Sequence, residues 1–305
     1  MAQYVARRLV AMVPVLLLVS ILVFLMIYLT PGDPVQIMLG QSGASAAQVA
    51  QVRHELGLDR PLPVQYLKFL ENLLSGQERS IATQQPVVSE FLGLFPSTLQ
   101  LAMASLVIAV ALGIALGVLA ATHPRTWVDY LSMAVSFMGV SVPNFWLALL
   151  LIYLFAVQLN WLPATGGGSW RQLVLPAVVL AVQQVALIAR LVRASMLEAL
   201  QEDYIKTARA KGLPERAVRL RHAFRNALLP IVTLLGLNFG YLLSGAVIVE
   251  IVFARPGIGR LIVDAIQAKD FPLVQGAILM TAVVYLVVNL LTDLSYAVID
   301  PRIRY

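Results

Sequence analysis

The sequence predicts an all-α polytopic membrane protein with six transmembrane helices. Hydrophobic residues make up 59% of the 305 residues and charged residues only 12%, whereas a soluble domain carries about 25% charged residues. Six long apolar stretches each exceed the roughly 20 residues that a helix needs to cross a bilayer. The predicted spans are residues 9–30, 98–121, 131–157, 174–197, 227–251 and 273–299, within a single transmembrane domain over residues 1–305.

The first span is predicted to remain in the protein rather than to be cleaved as a signal peptide. Arg7 and Arg8 precede an apolar run over residues 9–29. That run is longer than the core of a typical signal sequence, and no small-x-small cleavage site follows it. We therefore interpret it as a transmembrane helix near the N-terminus.

The second and fifth spans each carry two glycines four residues apart, Gly113 with Gly117 and Gly236 with Gly240. This spacing allows the backbones of two helices to approach closely inside a membrane. The sequence therefore predicts tight helix packing at these two places.

The distribution of basic residues predicts the orientation of the spans. With the N-terminus inside, the inner segments hold 14 Lys and Arg residues and the outer segments hold eight, although the outer segments are longer. Cytoplasmic loops carry the excess of positive charge, so both termini are predicted to be cytoplasmic.

Residues 31–97 then form an outer, periplasmic region. We expect one helix over residues 46–56, capped by Ser45 and closed by Gly57, and a second helix over residues 64–74. The region is too short and too polar for an independent core, so it is expected to pack on the outer ends of the spans.

The most strongly charged part of the chain is residues 190–225, between the fourth and fifth spans. It holds nine of the 22 Lys and Arg residues and four of the 16 acidic residues. Its pattern predicts two helices, the first beginning near Glu202 and Asp203, where the helix dipole favours negative charge. They are separated at Gly212, which can adopt the left-handed conformation that ends a helix. A polar helix pair in the 198–226 loop favours a docking surface for a cytoplasmic partner over a basic loop that only contacts anionic membrane lipid.

Several kinds of chemistry find no support in the sequence. A phosphate-binding GxxxxGK[ST] loop is absent, so we expect no ATP bound in that way. The absence of cysteine excludes disulfides and thiolate metal sites. His54, His123 and His222 are too far apart in sequence and topology to suggest a metal site. The net charge of +6 follows from the topology and does not require nucleic acid as a partner.

Neutral amides inside the spans are candidates for a polar translocation path. Gln183, Gln184 and Asn238 can line a wet path without a buried charge, or they can form interhelical hydrogen bonds worth about 0.6–2 kcal/mol. Two carboxylates, Glu250 and Asp293, lie near span ends, where the cost of burial is small. The alternative of an ion-gradient-driven secondary transporter needs a titratable group in the membrane, and Asp293 is the residue on which it depends.

Residues 203–230 read DYIKTARAKGLPERAVRLRHAFRNALLP and closely resemble the cytoplasmic loop of ABC importer permeases, in the branch for dipeptides, oligopeptides, glutathione and nickel. Further matches extend the resemblance over nearly the whole chain: RRL at 7–9, TPGDP at 30–34, RPGIGR at 255–260, KDFPLVQG at 269–276 and DPRIR at 300–304. KTA at 206–208 stands where the wider superfamily has Glu-Ala-Ala, as is usual for this branch. GQERS at 76–80 departs from the outer pattern of the branch and is one residue shorter.

The resemblance implies a type I ABC importer permease fold in a bacterial inner membrane. The chain is then expected to form half of a translocation path with a homologous second permease. The other implied partners are two cytoplasmic ABC ATPase subunits, which bind ATP and Mg, and an extracytoplasmic solute-binding protein. That protein would deliver a dipeptide, an oligopeptide, glutathione or a nickel chelate. No cofactor is expected on this chain, and ATPase activity is expected only in the partner subunits.

The 198–226 loop is expected to be the site where the ATPase couples to the permease. Ala208 and Gly212 are the expected positions of close approach because neither carries a large side chain. The basic residues of the loop are candidates for pairing with acidic residues of the ATPase. The expected coupling set is Asp203, Tyr204, Thr207, Ala208, Arg209, Lys211, Gly212, Arg216 and Arg219.

Overall fold

The computed structural model describes residues 2–33, 35–36, 46–55 and 57–299, except the side chains at 2–4, 46, 48, 52, 55, 226, 228–239 and 295–299. Within these ranges the chain consists of helices and turns, with one isolated antiparallel β-bridge between Arg79 and Pro86. The helices are α1 Ala2–Leu29, α2 Ala46–Glu55, α3 Leu62–Leu74, α4 Val87–Thr122, α5 Trp127–Ser141, α6 Asn144–Leu151, α7 Trp170–Gln201, α8 Asp203–Ala210, α9 Phe224–Val252, α10 Ile258–Gln267 and α11 Phe271–Ile299.

Several of these helices are long and apolar enough to cross a membrane. In the described part of the chain, four segments meet this condition: Val5–Leu29, Val87–Thr122, Trp170–Gln201 and Phe271–Leu294. The bent pair Trp127–Ser141 and Asn144–Gln158 is either one broken span, which would be the fifth, or a re-entrant loop, and α9 contains a shorter apolar stretch, Gly240–Val252. The six-span count and the orientation of the termini remain predictions.

A bend of 105° interrupts the third predicted span, residues 131–157, which the sequence suggested as one continuous helix. Val142 is extended, with φ −92° and ψ 123°, and Pro143 follows it. Proline lacks a backbone N–H and disfavours the α conformation in the residue before it, so α5 ends here. The chain then re-enters a helix at Asn144, and this helix continues in π-helical form over Ile152–Gln158.

Both helices predicted in the outer region are present. Gly57 follows α2 with a left-handed φ of 68°, the conformation expected of a closing glycine. Pro61 is the N-cap of α3, which therefore begins at Leu62, slightly earlier than predicted. Ser45, the predicted cap of α2, lies outside the described residues.

The chain divides into two compact units, residues 1–96 with 257–290 and residues 97–256 with 291–303. In the first unit, α1, α3 and α11 contribute to one apolar core. An added Cβ at Gly276 would lie 2.5 Å from Val87 Cγ1, so the backbone of α11 is closely packed there. The buried members of this core are Phe24, Phe69, Leu73, Val87, Ala265, Leu273, Val274 and Leu279.

Asp270 connects the segment at residues 80–82 to the start of α11, although it is only 1% exposed. Its Oδ2 accepts hydrogen bonds from Ser80 Oγ at 2.5 Å and from the Ala82 amide at 3.0 Å. Its Oδ1 accepts one from the Leu273 amide at 3.1 Å and so caps the first turn of α11. The unusual segment 76–80 therefore ends in a serine that this aspartate holds in the interior.

In the second unit, α4 packs directly against α7. A Cβ at Gly113 would lie 2.7 Å from Ile188 Cβ, and a Cβ at Gly117 would lie 2.5 Å from Val192 Cβ. The close packing predicted for this glycine pair is confirmed. Gly236, in the other predicted pair, lies outside the residues whose surroundings are described.

Two buried charged residues lie near the end of α9. Glu250 is fully buried and accepts a hydrogen bond from Thr98 Oγ1 on α4 at 2.6 Å. Arg255 is also fully buried, and its Nη2 donates to Gln100 Oε1 at 2.9 Å. Both residues therefore serve to join α4 to the end of α9.

Candidate functional site

An ion pair anchors the helix that leads into the 198–226 loop. Arg193 on α7 donates from Nε and Nη2 to the two carboxylate oxygens of Asp129 on α5, at 2.6 and 2.8 Å. The Asp129 side chain is 3% exposed and the Arg193 side chain 31% exposed. The Arg125 amide donates to the same carboxylate at 3.1 Å. This pair was not predicted, because its members are 64 residues apart in the chain.

Helix α8, Asp203–Ala210, follows α7 after a single extended residue, Glu202, with ψ 151°. One face of α8 packs on the chain itself: Ile205 is fully buried and Ala208 is 6% exposed. Both join an apolar cluster with α7 that includes Val192, Met196, Ala199, Val218 and Ala223. The helix is therefore amphipathic, with its apolar side against its own protein.

This packing corrects the expected role of Ala208. We expected its small side chain to allow a partner to approach, but the residue points into the apolar cluster of its own chain. The physical reason lies in the helix geometry, since Ile205 and Ala208 are three residues apart and lie on one face. The small side chain therefore serves the packing of α8 and not a surface for a partner.

Gly212 ends α8 in the manner that the sequence predicts. Its φ is 76°, and its amide donates to the Arg209 carbonyl at 2.9 Å. The Leu213 amide donates to the Ala208 carbonyl at 3.3 Å, and the two bonds together form a Schellman motif. Apart from Gly212 and its two neighbours, no described residue has an atom within 4 Å of the point where a Cβ would be placed on Gly212. This turn is therefore a protruding, open part of the surface.

A carboxylate joins the two sides of this turn. Glu215 accepts from Arg209 Nε at 2.7 Å and pairs with Arg219 Nε at 3.4 Å. The hydrogen bond from Arg209 lowers the pKa of the Glu215 carboxyl, and the same bond raises the pKa of Arg209. Two arginines expected to pair with the ATPase thus already have a partner in their own chain. The spacing of Glu215 and Arg219, which suits a helical ion pair, was the available signal.

Other residues of the predicted coupling set are exposed on the surface of the chain. Lys211 and Arg216 are exposed, and within the described residues neither makes an ion pair. Asp203 is exposed and pairs with Lys206 at 2.7 Å, while Thr207 Oγ1 donates to the Asp203 carbonyl at 3.0 Å.

Exposed apolar side chains accompany these charges. Tyr204 is 39% exposed, Leu213 39% and Leu220 48%. An exposed mixture of aromatic, aliphatic and basic groups is typical of a protein-binding surface rather than of a solvated loop.

The second part of the loop connects directly to α9. Glu215–Ala217 is followed without a break by the π-helical stretch Val218–Ala223 and then by Phe224–Val252. Val218 and Ala223 are fully buried. A movement of the turn at Gly212 would therefore act on the end of a long helix.

One of the predicted path residues lies at a buried polar position in the second unit. Gln184 is 5% exposed, and its Oε1 has no hydrogen-bond partner within the described residues. Asn144 Oδ1, at the start of α6, is likewise buried and without a partner there. Leu180, one turn before Gln184, lies 2.8 Å from the Cβ position of Gly245 on α9, and Asn144 Nδ2 lies 3.9 Å from that position. Asn144 was not among the predicted path residues, although its position directly after Pro143 can be read from the sequence.

The other two path candidates are less defined. Gln183 is half-buried on α7, and the side chain of Asn238 lies outside the described residues. Among the residues that the structure describes, no group of three His, Asp or Glu side chains could hold a metal ion.

Comparison with known protein families assigns both parts of the chain. Residues 113–305 match the family described as "Binding-protein-dependent transport system inner membrane component". Residues 1–102 match "Binding-prot-dependent transport system membrane comp, N-term".

Curated relatives match over the full length. The chain is 43% identical over 306 aligned positions to proteins named glutathione transport system permease protein GsiC from Pectobacterium atrosepticum and from Escherichia coli K12, covering 100% of both sequences in each case.

Solved structures support the fold. The MetNI methionine ABC transporter in an inward-facing conformation matches with a TM-score of 0.60 at 18% identity, over 70% of this chain and 98% of that chain. An amino acid ABC transporter crystallised with histidines matches with a TM-score of 0.54 at 19% identity, over 71% of this chain and 95% of that chain.

These matches confirm the expected type I ABC importer permease fold and the expected inner-membrane location. They also establish the class of transport system, which uses a solute-binding protein. The chain therefore belongs to the family of binding-protein-dependent transport system inner membrane components and is a permease component of an ABC importer.

Proposed function

We propose that this chain forms half of the translocation path of an ATP-driven importer for a small peptide or a related solute, and that its 198–226 loop receives the force from a cytoplasmic ATPase. The observation that carries this proposal is the two-sided character of α8 and the turn that follows it. Ile205 packs the inner face of α8 into its own protein, while Lys211, Gly212 and Arg216, which follow α8, are exposed.

The loop has the connections that a force-transmitting element needs. Its inner face packs on α7, which the Asp129–Arg193 pair holds against α5. Its second half continues into α9. A push on the outer face would therefore move α7 and α9 together, because packed interiors transmit displacement instead of absorbing it.

The proposed partners are those that membership of this family implies. Two ATPase subunits bind ATP and Mg and close around the bound ATP. Their closure draws this loop towards the corresponding loop of a homologous second permease. A solute-binding protein delivers the solute from the other side of the membrane. The path then alternates between inward-facing and outward-facing states, and the permease contributes contact but no chemical step.

Gln184 and Asn144 are the path residues that the geometry supports best. Each carries a buried carbonyl oxygen without a partner in the described part of the chain, and a buried polar atom of this kind favours a water or a solute donor. We assign Gln183 and Asn238 to the same path as flanking amides.

The solute is proposed from the relatives. Proteins 43% identical over the whole chain are named for glutathione transport, and glutathione is itself a peptide-like solute. We therefore propose glutathione or a short peptide as the transported solute.

Site-specific photo-crosslinking tests the docking surface. p-Benzoylphenylalanine at position 211 or 216 should yield an adduct with the ATPase subunit in membranes that contain the assembled transporter. The matched control is position 79, an exposed arginine of the predicted outer region. Absence of an ATPase adduct from positions 211 and 216, in a transporter that still purifies with its ATPase, would refute the docking surface.

Uptake into proteoliposomes tests the energy source and the solute. Radiolabelled glutathione and dialanine should accumulate only with ATP on the ATPase side, and ionophores that collapse ion gradients should leave uptake unchanged. Asp293→Asn should retain ATP-driven uptake. Uptake that needs an ion gradient, ignores ATP and fails in Asp293→Asn would instead establish the secondary-transporter alternative.

A further inference from the structure

A cavity of about 130 Å³ lies within the first unit, between the outer end of α1, helix α3 and the start of α11. Its lining combines aromatic rings, such as those of Phe24 and Phe69, with polar groups and two opposite charges, Lys68 and Glu78. It is smaller than the roughly 300–1,000 Å³ of sites that hold drug-sized ligands. The cavity therefore suits a small molecule or one end group of a larger molecule.

The neutral polar groups of the wall are held by the chain itself. Gln65 accepts a hydrogen bond from the Tyr28 hydroxyl and donates to the Arg60 carbonyl at 2.7 Å. Gln275 donates to the carbonyls of Val23 and Phe24, each at 3.1 Å. These bonds fix the shape of the cavity in advance and use the amide N–H groups that could otherwise bind a ligand.

The two charged groups of the wall are held less tightly: Asn72 hydrogen-bonds to the Glu78 carboxylate, and Lys68 attracts that carboxylate without closing a salt bridge to it. Within the described residues, neither Lys68 nor Glu78 makes an ion pair with another side chain or with each other. The backbone of Glu78 is fixed, since its amide donates to the Asn72 carbonyl at 3.1 Å and its carbonyl accepts from the Val87 amide at 2.9 Å. Lys68 Nζ lies 3.7 Å from the Cβ position of Gly57, on the same wall. The cavity thus presents one cation and one carboxylate at defined places.

The charges select the class of ligand. An apolar molecule would remove both charges from water without giving them a partner. An anion alone would be repelled by Glu78, and a cation alone would be repelled by Lys68. Each of these arrangements costs free energy in a partly buried site. A zwitterion satisfies both. We propose that this cavity binds an α-amino-acid group, with its carboxylate on Lys68 and its ammonium on Glu78.

The titration behaviour of Glu78 is compatible with this arrangement. Burial raises the pKa of its carboxyl, which indicates that the empty cavity disfavours the charged form. A bound ammonium would favour the charged form, so binding would release protons at a pH near that raised pKa. The affinity for an amino acid should consequently fall as the pH drops through it.

This site is separate from the 198–226 loop, and its test requires neither ATP nor a binding protein. The full-length chain in lipid nanodiscs is tested by a scintillation-proximity assay with radiolabelled L-alanine. Unlabelled competitors are L-alanine, propionate and ethylamine, the last two being alanine without its ammonium or without its carboxylate. Glutathione, whose γ-glutamyl end carries both groups on one carbon, distinguishes a larger solute from a free amino acid.

We expect saturable alanine binding that propionate and ethylamine displace at least tenfold less well, because each loses one charge-assisted contact. Lys68→Met and Glu78→Gln should each weaken binding about tenfold or more. Glu71→Gln on the same helix and Lys269→Met, both at exposed residues, should bind as the wild type does.

Three outcomes would overturn the proposal. These are no saturable binding of alanine or glutathione to the wild type, equal competition by propionate or ethylamine, and unchanged affinity in both cavity variants. A variant that failed to fold would be recognised by its elution profile, and the competition arm on the wild type decides the proposal without any variant.

Discussion

Substitutions at Gly212 separate two reasons why this residue could matter. The first is backbone conformation, because φ is 76° and only glycine adopts that value without strain. The second is contact with a partner, because a Cβ at this position would face open space: apart from Gly212 and its two neighbours, no described residue has an atom within 4 Å of it. Alanine tests the backbone alone, whereas tryptophan adds a large group that projects into the open space.

The structure gives the expected magnitudes. Any L-residue in the left-handed region costs about 1–2 kcal/mol, and this cost is nearly equal for alanine and tryptophan. Asparagine tolerates the region better and should cost less. A Cβ at this position has open space around it within the described residues, so we attribute an additional loss in the tryptophan variant to the docked partner. Overpacking a closely fitted contact costs about 1–3 kcal/mol, which is about a 5- to 150-fold change in docking affinity.

The assay is ATP hydrolysis stimulated by the solute-loaded binding protein, measured on the assembled transporter in nanodiscs. We expect Gly212→Asn to be close to wild type and Gly212→Ala to retain most of the stimulation, because two backbone hydrogen bonds and Glu215 also hold the turn. Gly212→Trp should lose stimulation at least about fivefold beyond Gly212→Ala, at equal amounts of protein in the membrane. Equal activity of the tryptophan and alanine variants would refute the claim that this turn contacts the ATPase.

Three further predictions concern the supports of the loop. Arg193→Ala leaves the buried Asp129 carboxylate with only a backbone donor, which costs about 3 kcal/mol of unfolding free energy. A thermal-shift assay should therefore show an unfolding temperature about 6–12 °C lower than that of the wild type. An unchanged unfolding temperature would contradict this. Gly117→Val should reduce the yield of folded protein on size-exclusion chromatography, because its Cβ would lie 2.5 Å from Val192 on α7. Gly93→Val on the same helix is the control and should have a mild effect, because its Cβ has open space around it among the described residues. Similar yields for the two variants would contradict this. Because Arg209 lowers the pKa of the Glu215 carboxyl, Glu215 stabilises the turn above the ordinary carboxyl pKa, and this stabilisation is lost as the pH falls through the lowered value. Hydrogen exchange of the Lys211, Gly212 and Leu213 amides in the wild type should therefore approach that in Glu215→Gln at low pH, and a difference that stays constant with pH contradicts this.

Local rules explain what the sequence could predict of the fold and the site. Composition and length identify apolar spans because the membrane requires them, whatever the neighbours. The end of α8 at Gly212 follows from the conformational freedom of one residue. The packing of Gly113 and Gly117 follows from their spacing on one face of a helix.

Contacts between distant parts of the chain explain what the sequence could not predict. The Asp129–Arg193 pair joins two helices that only the tertiary fold brings together. Ala208 was expected to face a partner. The sequence of a short helix with small residues does not indicate which of its faces is buried, and only the packing of α8 on α7 shows that Ala208 is on the buried face. The bend at Pro143, by contrast, could have been predicted from the sequence, because proline often ends a helix. The long apolar run on both sides of it suggested one continuous span instead.

The central claim is that the outer face of the 198–226 loop docks on the ATPase while its inner face stays in the permease. A cryo-electron microscopy structure of the assembled transporter measures this most directly. Our account predicts that Lys211, Gly212 and Arg216 become buried against the ATPase, while Ile205 and Ala208 keep their present contacts with α7. A complex in which Gly212 and its two basic neighbours remain exposed to solvent would contradict it.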